Sequence, residues 1–237
     1  MSKRILGYEI NVLTFSQAGE DIIIRNFFYE RLNKRRPGFF VDIGAYHPYR
    51  HSNTFYLYRG GWRGINIDPR PGSMDLFNRI RPRDINLELA IADKHGQATY
   101  FDFGVDSAVI NTLSTEYIER LGTADQVKNS YAVKTYPLNE VLNKHVPAGT
   151  EIDFMNIDIE GMELPALGSS DWEKYRPKLL ACELYGFSVS ELMSTSLACF
   201  LVECGYEFYA RVILDVPKVN TVFFIDSTRE YEFSPMN

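Results

Sequence analysis

Four short apolar runs in this chain each end at an acidic residue, and this pattern restricts the possible folds more than any other feature. The runs are rich in β-branched and aromatic residues, which is typical of parallel strands buried on both faces. Parallel strands bring their carboxyl ends to one edge of a sheet, so we expect the acids to meet there, where open α/β sheets bind ligands. The runs and their acids are FFVDIGA with Asp42, GINIDPR with Asp68, MNIDIEG with Asp158 and Glu160, and LLACELYG with Glu183.

Segments with a helical spacing of apolar residues alternate with these runs along the chain. Alternating strands and helices predict an α/β fold, a Rossmann-like doubly wound sheet that is mostly parallel. Near the C-terminus, EFYARVIL and NTVFFID are joined by a short polar link and predict an antiparallel hairpin. No Gly/Ser-rich or Pro-rich linker divides the chain, so we expect an N-terminal extension with an entry helix over 1–36 and one domain over 37–237.

Several elements carry sequence signals at their ends. Ser16 is expected to cap the entry helix, and DINLELAIAD is expected to form one strand, the third of the sheet. The stretch SVSELMSTSLACFLVECGY predicts one long helix that ends at Gly205. Residues 104–130 have polar flanks around NTLSTEYIERL, so we expect a surface lid with a short helix capped by Thr112 or Ser114.

Composition and charge argue against several broad classes of protein. The chain has 237 residues and a formal net charge of −6, whereas a nucleic-acid-binding protein needs a basic surface to neutralise phosphates. Its three cysteines form no C-x-x-C pair and indicate neither a disulfide framework nor a zinc site. No apolar run approaches the roughly 20 residues that span a bilayer, and no secretory signal is present. We therefore expect a cytoplasmic protein, for which a monomer and a homo-oligomer are both open.

Asp42, Gly44 and Asp68 indicate what the sheet edge binds. A carboxylate as close to the core as Asp42 costs free energy unless local amides, hydroxyls or a ligand bind it. Gly44 allows a tight turn and the close approach of a ligand, and Asp68 suits a ribose diol. The turn sequence GAYHPY lacks the G-x-G-x-x-G pattern of pyrophosphate sites. A nucleoside without a pyrophosphate fits these residues, although each acid alone also fits a turn at a strand end.

Six motifs follow one another between Ser16 and Tyr185: SQAGED, FVDIGA, GINIDP, LAIADKHG, NIDIEGMELPALGS and LLACELYG. Their content and order resemble the FkbM family of class I S-adenosylmethionine-dependent methyltransferases. The resemblance implies the class I methyltransferase fold, with S-adenosylmethionine as the cofactor. It places the methionine end near Asp42 and Gly44, the ribose at Asp68 and the adenine near 90–92. The cofactor-binding residues implied in this way are Asp42, Gly44, Ala45, Asn53, Asp68, Ala90 and Ile91.

The loop after the first strand departs from the pattern of this family. Many relatives have a glycine three or four places after DIGA, where this chain has His47 and Pro48. The path of the loop and the role of its side chains are therefore open.

Methyl transfer to a hydroxyl requires alignment of the acceptor, exclusion of water and removal of a proton. In one route, His47 or His51 acts as the general base, since an imidazole titrates near neutral pH. In the other, Asp158 and Glu183, with Glu160 or Glu163 nearby, hold Mg²⁺ or another divalent cation that activates the hydroxyl. We expect Asp158 to be the central acid, because IDIEG places it at the rim beside the cofactor strand. The same acids equally suit a cap on the following helix.

The predicted function is an S-adenosylmethionine-dependent O-methyltransferase that acts on a sugar hydroxyl of a glycan precursor or natural product. The acceptor class follows from the family resemblance alone. The expected partner is a small-molecule or glycan acceptor, not a nucleic acid. Two alternatives are kept: an NAD-type oxidoreductase, which the missing phosphate pattern disfavours, and a non-catalytic nucleoside-binding module, which the acids at the strand ends disfavour.

Overall fold

The computed structural model describes residues 3–5, 8–10, 13–34, 36–104, 110–214 and 218–233. The strands, in chain order, are β1 (Lys3–Ile5), β2 (Tyr8–Ile10), β3 (Phe39–Ile43), β4 (Arg63–Ile67), β5 (Ile85–Leu87), β6 (Ala90–Ile91), β7 (Gly96–Asp102), β8 (Asn129–Tyr136), β9 (Phe154–Ile157), β10 (Leu179–Tyr185), β11 (Tyr206–Ile213) and β12 (Val219–Asp226). The helices are α1 (Glu20–Arg25), continued by a π-helix (Asn26–Arg31), α2 (Phe55–Arg59), α3 (Ser73–Ile80), α4 (Thr115–Leu121), followed by a 3-10 helix (Ala124–Gln126), α5 (Leu138–His145), α6 (Glu163–Gly168), α7 (Val189–Met193) and α8 (Ser196–Glu203).

A seven-stranded sheet with the order β11-β12-β10-β9-β3-β4-β5 forms the centre of the protein. The strands β5, β4, β3, β9 and β10 are parallel, whereas β12 runs antiparallel to both β10 and β11. The first strand of this sheet, β3, is therefore an inner strand, and later strands lie on both sides of it. This arrangement confirms the predicted α/β doubly wound sheet and its C-terminal antiparallel hairpin.

Side chains of β3 alternate between two cores, one on each face of the sheet. Val41 and Ile43 pack with side chains of α5, α6 and α8, while Phe40 packs with α2 and with Phe28 of the π-helix. All residues of β3 are buried, which explains why all of them except Asp42 are apolar. The entry helix thus packs into the second core, and the boundary placed between 1–36 and 37–237 stays a prediction.

The predicted third strand is divided between two sheets. β5 lies at the edge of the large sheet, whereas β6 pairs with β8 in a three-stranded sheet of order β6-β8-β7. Between them, the Glu88 carboxylate accepts a hydrogen bond from the Gly72 backbone N–H at 2.8 Å. The prediction of one strand over DINLELAIAD is therefore wrong, because its apolar alternation continues through the point at which the chain leaves the large sheet.

The entry helix begins after Gly19, so the prediction of Ser16 at the N-cap position is wrong, although its hydroxyl accepts a hydrogen bond from the first turn. Gly19 takes the N-cap position with a φ of 95° and without a side-chain cap. Ser16 donates a hydrogen bond to the Asp21 carboxylate at 3.0 Å and accepts one from the Asp21 backbone N–H at 3.2 Å, and the carboxylate also accepts one from the Phe15 backbone N–H at 2.9 Å. The serine therefore closes the loop that precedes the helix.

Two helices, α7 and α8, replace the single helix predicted over SVSELMSTSLACFLVECGY. The hydroxyls of Ser194 and Thr195 donate hydrogen bonds to the Glu191 and Leu192 carbonyls, both at 2.8 Å. Thr195 also caps α8 by accepting a hydrogen bond from the Ala198 backbone N–H at 3.3 Å. Such local bonds compete with helical ones, so the sequence STS interrupts the helix.

The middle segment contains α4, which Ser114 caps by accepting a hydrogen bond from the Tyr117 backbone N–H at 3.1 Å. The Thr112 hydroxyl instead donates a hydrogen bond to the Glu160 backbone carbonyl at 2.7 Å. Residues 105–109, which belong to the predicted lid, lie outside the described residues. Thr112 and the start of α4 therefore contact the loop that carries Glu160 and Gly161.

The helices of this fold are short. Among those that the structure describes, none has the length and apolar character that a membrane crossing requires. Cys182, Cys199 and Cys204 are all free.

Candidate active site

A cavity of about 550 Å³ opens at the carboxyl ends of β3, β4, β9 and β10. Its volume is in the range usual for small-molecule and cofactor sites. Parallel pairing brings together the acids at these strand ends, as the register of Asp42 against Asn156 illustrates. The acids that line the cavity are Asp42, Asp68, Asp158, Glu160 and Glu183.

The buried Asp42 carboxylate is bound by two neighbouring side chains. Its Oδ2 accepts a hydrogen bond from the Thr54 hydroxyl at 2.6 Å, and its Oδ1 accepts one from the Asn156 amide at 3.0 Å. The Asn53 amide donates in turn to Asn156 at 2.9 Å. Burial raises the pKa of Asp42, and the hydrogen bond from Thr54 and the charge of Arg81 oppose that rise. Each carboxylate oxygen retains acceptor capacity, so Asp42 can still bind a ligand.

Gly44 allows the ends of three strands to approach one another. Its φ of 83° lies in the left-handed region, which favours glycine. A Cβ atom at this position would overlap the Asp158 carbonyl oxygen. The N–H groups of Gly44 and Ala45 donate to the Ile67 carbonyl at 2.9 and 3.0 Å. The glycine therefore joins β3, β4 and β9 closely at the edge where the acids meet.

Asp68 lies at the end of β4 and is only 6% exposed. Its Oδ2 accepts a hydrogen bond from the Tyr46 backbone N–H at 3.1 Å, and its Oδ1 accepts one from the Arg70 backbone N–H at 2.9 Å. Burial raises the pKa of Asp68, and the contacts with Arg70 counteract the rise. Both oxygens can accept one more hydrogen bond, which is what the two hydroxyls of a ribose require.

The other predicted cofactor residues fall into two pairs. Ala45 and Asn53 line the cavity. Ala90 and Ile91 are almost fully buried in β6 and do not belong to the described lining. Tyr100 of β7, which no sequence motif marks, does line the cavity. The adenine contact predicted for β6 therefore stays a prediction.

The two histidines of the loop after β3 occupy different positions. His51 lines the cavity, whereas His47 is absent from its described lining. Nδ1 of His47 accepts hydrogen bonds from the backbone N–H groups of Tyr49 and Arg50 at 3.3 and 3.1 Å. Burial, followed by the charges of Arg50 and Arg70, lowers the pKa of His47. The ring is thus neutral at neutral pH, and its own loop occupies one of its two nitrogens.

Asp158, Glu160 and Glu183 form a compact cluster, with one oxygen of each carboxylate within 4.8 Å of the others. Asp158 is accessible from the cavity, whereas Glu160 is only 8% exposed. Oε2 of Glu160 is buried and has no hydrogen-bond partner within the described part of the chain. The backbone of Glu160 has a φ of 51°, which is uncommon for a residue other than glycine. The fold therefore holds this carboxylate in the cluster although the backbone conformation of Glu160 is unfavourable.

Burial raises the pKa values of all three cluster acids. Repulsion from the other cluster acids adds to the rise for Asp158 and Glu160, and repulsion from Glu163 at the start of α6 adds to it for Glu183. The pKa of Glu160 rises to about 10 and that of Glu183 to about 7. The pKa of Asp158 lies well above its ordinary value although the cavity reaches it, because the surrounding protein limits its hydration and Glu183 is nearby. At neutral pH the cluster therefore holds at least one proton, unless a cation balances its charge.

Two tyrosines and an arginine lie next to the acid cluster. The Tyr185 hydroxyl donates a hydrogen bond to Glu183 Oε2 at 3.1 Å and lies 3.3 Å from the Tyr117 hydroxyl. The Arg120 guanidinium stacks over both rings, 4.5 Å from the centroid of Tyr185 and 5.1 Å from that of Tyr117. Tyr117 and Arg120 belong to α4, so the middle segment forms part of the cavity wall, and its movement as a lid stays a prediction.

A family model for the methyltransferase FkbM domain matches residues 42–208, which include every acid that lines the cavity. The chain belongs to the FkbM methyltransferase family. This FkbM protein is therefore an S-adenosylmethionine-dependent methyltransferase, and the match gives no support to the oxidoreductase alternative. The free acceptor sites of Asp42 and Asp68 fit the amino group and the ribose diol of that cofactor.

Solved structures that resemble this FkbM methyltransferase include proteins of low sequence identity. A TehB-like S-adenosylmethionine-dependent methyltransferase from Corynebacterium glutamicum is 11% identical, with a TM-score of 0.44 over 88% of each chain. An O-methyltransferase from Bacillus cereus, in complex with S-adenosylhomocysteine, is 10% identical, with a TM-score of 0.46 over 87% of this chain and 78% of that one. A comparison with curated proteins gave no match.

Proposed function

We propose that this FkbM methyltransferase transfers the methyl group of S-adenosylmethionine to a sugar hydroxyl of a glycan precursor or natural product. The observation that carries the proposal is that Asp158, Glu160 and Glu183 cluster in the same cavity as Asp42 and Asp68. The cofactor supplies an activated methyl group, so the protein has to align the acceptor, exclude water and remove a proton. Carboxylates beside the cofactor site are suited to the last of these tasks.

Different acids of the cavity serve the cofactor and the acceptor in this proposal. Asp42 accepts hydrogen bonds from the amino group at the methionine end, and Asp68 accepts them from the ribose diol. The acceptor hydroxyl then lies beside Asp158. Tyr117 and Tyr185 combine an apolar ring with a hydroxyl, which supports a sugar as the acceptor.

Asp158 is the proton acceptor that the geometry favours over His47. Its side chain is accessible from the cavity, whereas Nδ1 of His47 is engaged in its own loop. A carboxylate with a raised pKa is also a stronger base than an ordinary aspartate. Ionised Asp158 therefore receives the hydroxyl proton as the acceptor oxygen attacks the methyl group, and the methyl–sulfur bond breaks to leave S-adenosylhomocysteine.

We further propose that Glu160 joins Asp158 and Glu183 in holding a divalent cation. Mg²⁺ prefers carboxylate oxygens, and the three oxygens lie close enough to face one ion. The buried Oε2 of Glu160 supports this assignment, because a cation would satisfy an oxygen that has no partner among the described residues. The cation would replace the proton held by the cluster and lower the pKa of the acceptor hydroxyl.

Removal of divalent cations is expected to abolish most of the methyl transfer, and added Mg²⁺ is expected to restore it. Because Mg²⁺ competes with protons at Glu183, whose pKa is about 7, less Mg²⁺ should give half-maximal activity as the pH rises from about 6 to about 8. Initial rates after dialysis against EDTA measure both effects. Glu160→Gln should require more Mg²⁺, whereas Asp93→Asn, at an exposed site outside the cavity lining, should not. Full activity without cations would contradict the cation site and leave direct proton transfer to Asp158.

A methyl-transfer assay with a panel of acceptors tests the proposed function itself. We expect labelled methyl groups to appear on hydroxyls of nucleotide sugars or oligosaccharides, and not on amines or carboxylic acids. Methylation of nitrogen acceptors alone would contradict an O-methyltransferase. Binding of S-adenosylhomocysteine without turnover of any acceptor, unaffected by Asp158→Ala or added cation, would instead support a non-catalytic module.

We also propose a cytoplasmic location and a small-molecule or glycan acceptor. The three free cysteines support a reducing compartment. The net charge of −6 favours an acceptor other than a nucleic acid.

A further inference from the structure

A fully buried arginine lies directly behind the wall of the cofactor cavity. Arg81 follows α3 and is 0% exposed. Its guanidinium donates hydrogen bonds to the Asn66 amide oxygen at 2.7 Å and to the hydroxyls of Thr54 and Ser52 at 3.0 and 3.2 Å. Four aromatic rings surround its charge. Their centroids lie 5.8 Å (Phe40), 5.4 Å (Phe55), 5.5 Å (Tyr58) and 5.6 Å (Phe77) from the guanidinium carbon.

The chemistry of the donors and acceptors determines the direction of the hydrogen bonds that lead from Arg81 to Asp42. A guanidinium can only donate, and the Thr54 hydroxyl has a single proton. Thr54 therefore accepts from Arg81 and donates its own proton to Asp42 Oδ2 at 2.6 Å. The positive charge polarises this hydroxyl toward the carboxylate. Arg81 and Thr54 are outside the described cavity lining, whereas Asp42 is part of it, so their effect on a ligand passes through Asp42.

Stability alone does not explain a charge at position 81. Burial of a guanidinium costs free energy, and an apolar side chain of similar size often stabilises a protein equally well. Nε of Arg81 is buried and has no hydrogen-bond partner in the described part of the chain. Burial also lowers the pKa of Arg81, although the charges of Asp42 and Asp84 oppose this change. An effect of Arg81 on Asp42 gives the buried charge a function.

We propose that Arg81 is a positioning residue for cofactor binding, which orients the Asp42 carboxylate through the Thr54 hydroxyl and keeps it ionised. The inference rests on the proposed function, in which Asp42 binds the amino group of the cofactor. Burial raises the pKa of Asp42 and the charge of Arg81 opposes this rise, so loss of that charge should raise the pKa further. The other charged or titratable groups around Asp42 are Asp158 at the end of β9, Asp84 behind Asn66, and Asp68, Arg70 and His51 in the cavity lining.

Arg81→Met tests this inference through the pH dependence of S-adenosylhomocysteine binding, measured by isothermal titration calorimetry. Ionised Asp42 is the binding form, so the wild-type affinity falls as the pH drops through the pKa of Asp42. In Arg81→Met this fall should begin at higher pH, with a midpoint about one unit higher and an affinity about tenfold lower in that pH range. Arg81→Lys, which keeps a positive donor, should recover part of the shift.

Two further variants keep the test decisive. Thr54→Val removes the connecting hydroxyl with almost no change of shape and should weaken binding even if Arg81→Met does not fold, which thermal melting would reveal. Asp42→Asn should weaken binding and remove the part of the pH dependence that Asp42 contributes. If Asp42→Asn behaves in this way while Arg81→Met and Thr54→Val retain the wild-type midpoint and affinity, the inference is overturned. Unchanged affinity in Asp42→Asn would overturn the cofactor role of Asp42, and the inference with it, whereas the acceptor assay tests methyl transfer independently.

Discussion

Asp158→Asn is expected to slow methyl transfer by about 10²- to 10⁴-fold, the usual effect of a general acid–base group, without weakening S-adenosylhomocysteine binding. The amide cannot take a proton from the acceptor and lacks the charge that attracts a divalent cation, so both proposed tasks of Asp158 fail. The packing contact between Asp158 and Gly44 involves the backbone carbonyl, so the cavity should keep its shape. Single-turnover rates and calorimetry on one preparation measure the two quantities.

Matched variants decide between Asp158 and His47 as the base. Asp93→Asn makes the same chemical change at an exposed position outside the cavity lining, and we expect wild-type rates. His47→Gln should slow methyl transfer far less than Asp158→Asn, because the His47 ring is held by its own loop. A wild-type rate in Asp158→Asn together with a large loss in His47→Gln would reverse the assignment of the base.

The acids of the cavity could be predicted because each strand end combines two local signals, an apolar run and an acidic residue at its end. Val41 and Ile43 must be buried on the face they share, so the run around Asp42 can only be an inner strand. Parallel order then determines which edge each acid joins, whatever the details of the loops. The same reasoning brings Asp68 and Asp158 to the site, although they are far apart in the sequence.

The hydrogen bonds that link Arg81, Thr54 and Asn156 to Asp42 could not be predicted, because no local sequence pattern marks these residues. Arg81 stands in the charged stretch RIRPRD, which is typical of a solvated turn. It is buried only because Phe40 and Phe55 fold over it from other parts of the chain. Asn156 precedes the marked Asp158 in MNID, yet it hydrogen-bonds Asp42 across two strands.

The predicted ends of several strands and helices were wrong for a related reason. The apolar alternation from Ile85 to Ile91 is continuous, but β5 ends at Leu87 and β6, which begins at Ala90, belongs to another sheet. Periodicity reports which face of an element is buried and contains no information on where the chain leaves a sheet. The tyrosine and arginine of α4 were missed because 104–130 has few apolar anchors.

Asp68→Ala is expected to weaken S-adenosylhomocysteine binding by at least about 100-fold. Each hydrogen bond from a ribose hydroxyl to a carboxylate contributes roughly 1.5–3 kcal/mol, and about 1.4 kcal/mol corresponds to a factor of ten in Kd. The backbone N–H groups of Tyr46 and Arg70 also lose their acceptor. Both residues are only partly buried, so water can replace the carboxylate, and we expect thermal melting to show a smaller loss than calorimetry.

Adenosine as a second ligand shows which end of the cofactor each acid binds. Asp68→Ala should weaken adenosine and S-adenosylhomocysteine by the same factor, because both carry the ribose diol. Asp42→Asn should weaken S-adenosylhomocysteine and leave adenosine unaffected, because adenosine lacks the amino group. Asp68→Asn keeps one oxygen for the backbone N–H groups, so it should preserve stability better than Asp68→Ala while still losing most of the affinity. If both Asp68 variants bind adenosine as tightly as the wild type, the diol must be held by another part of the cavity.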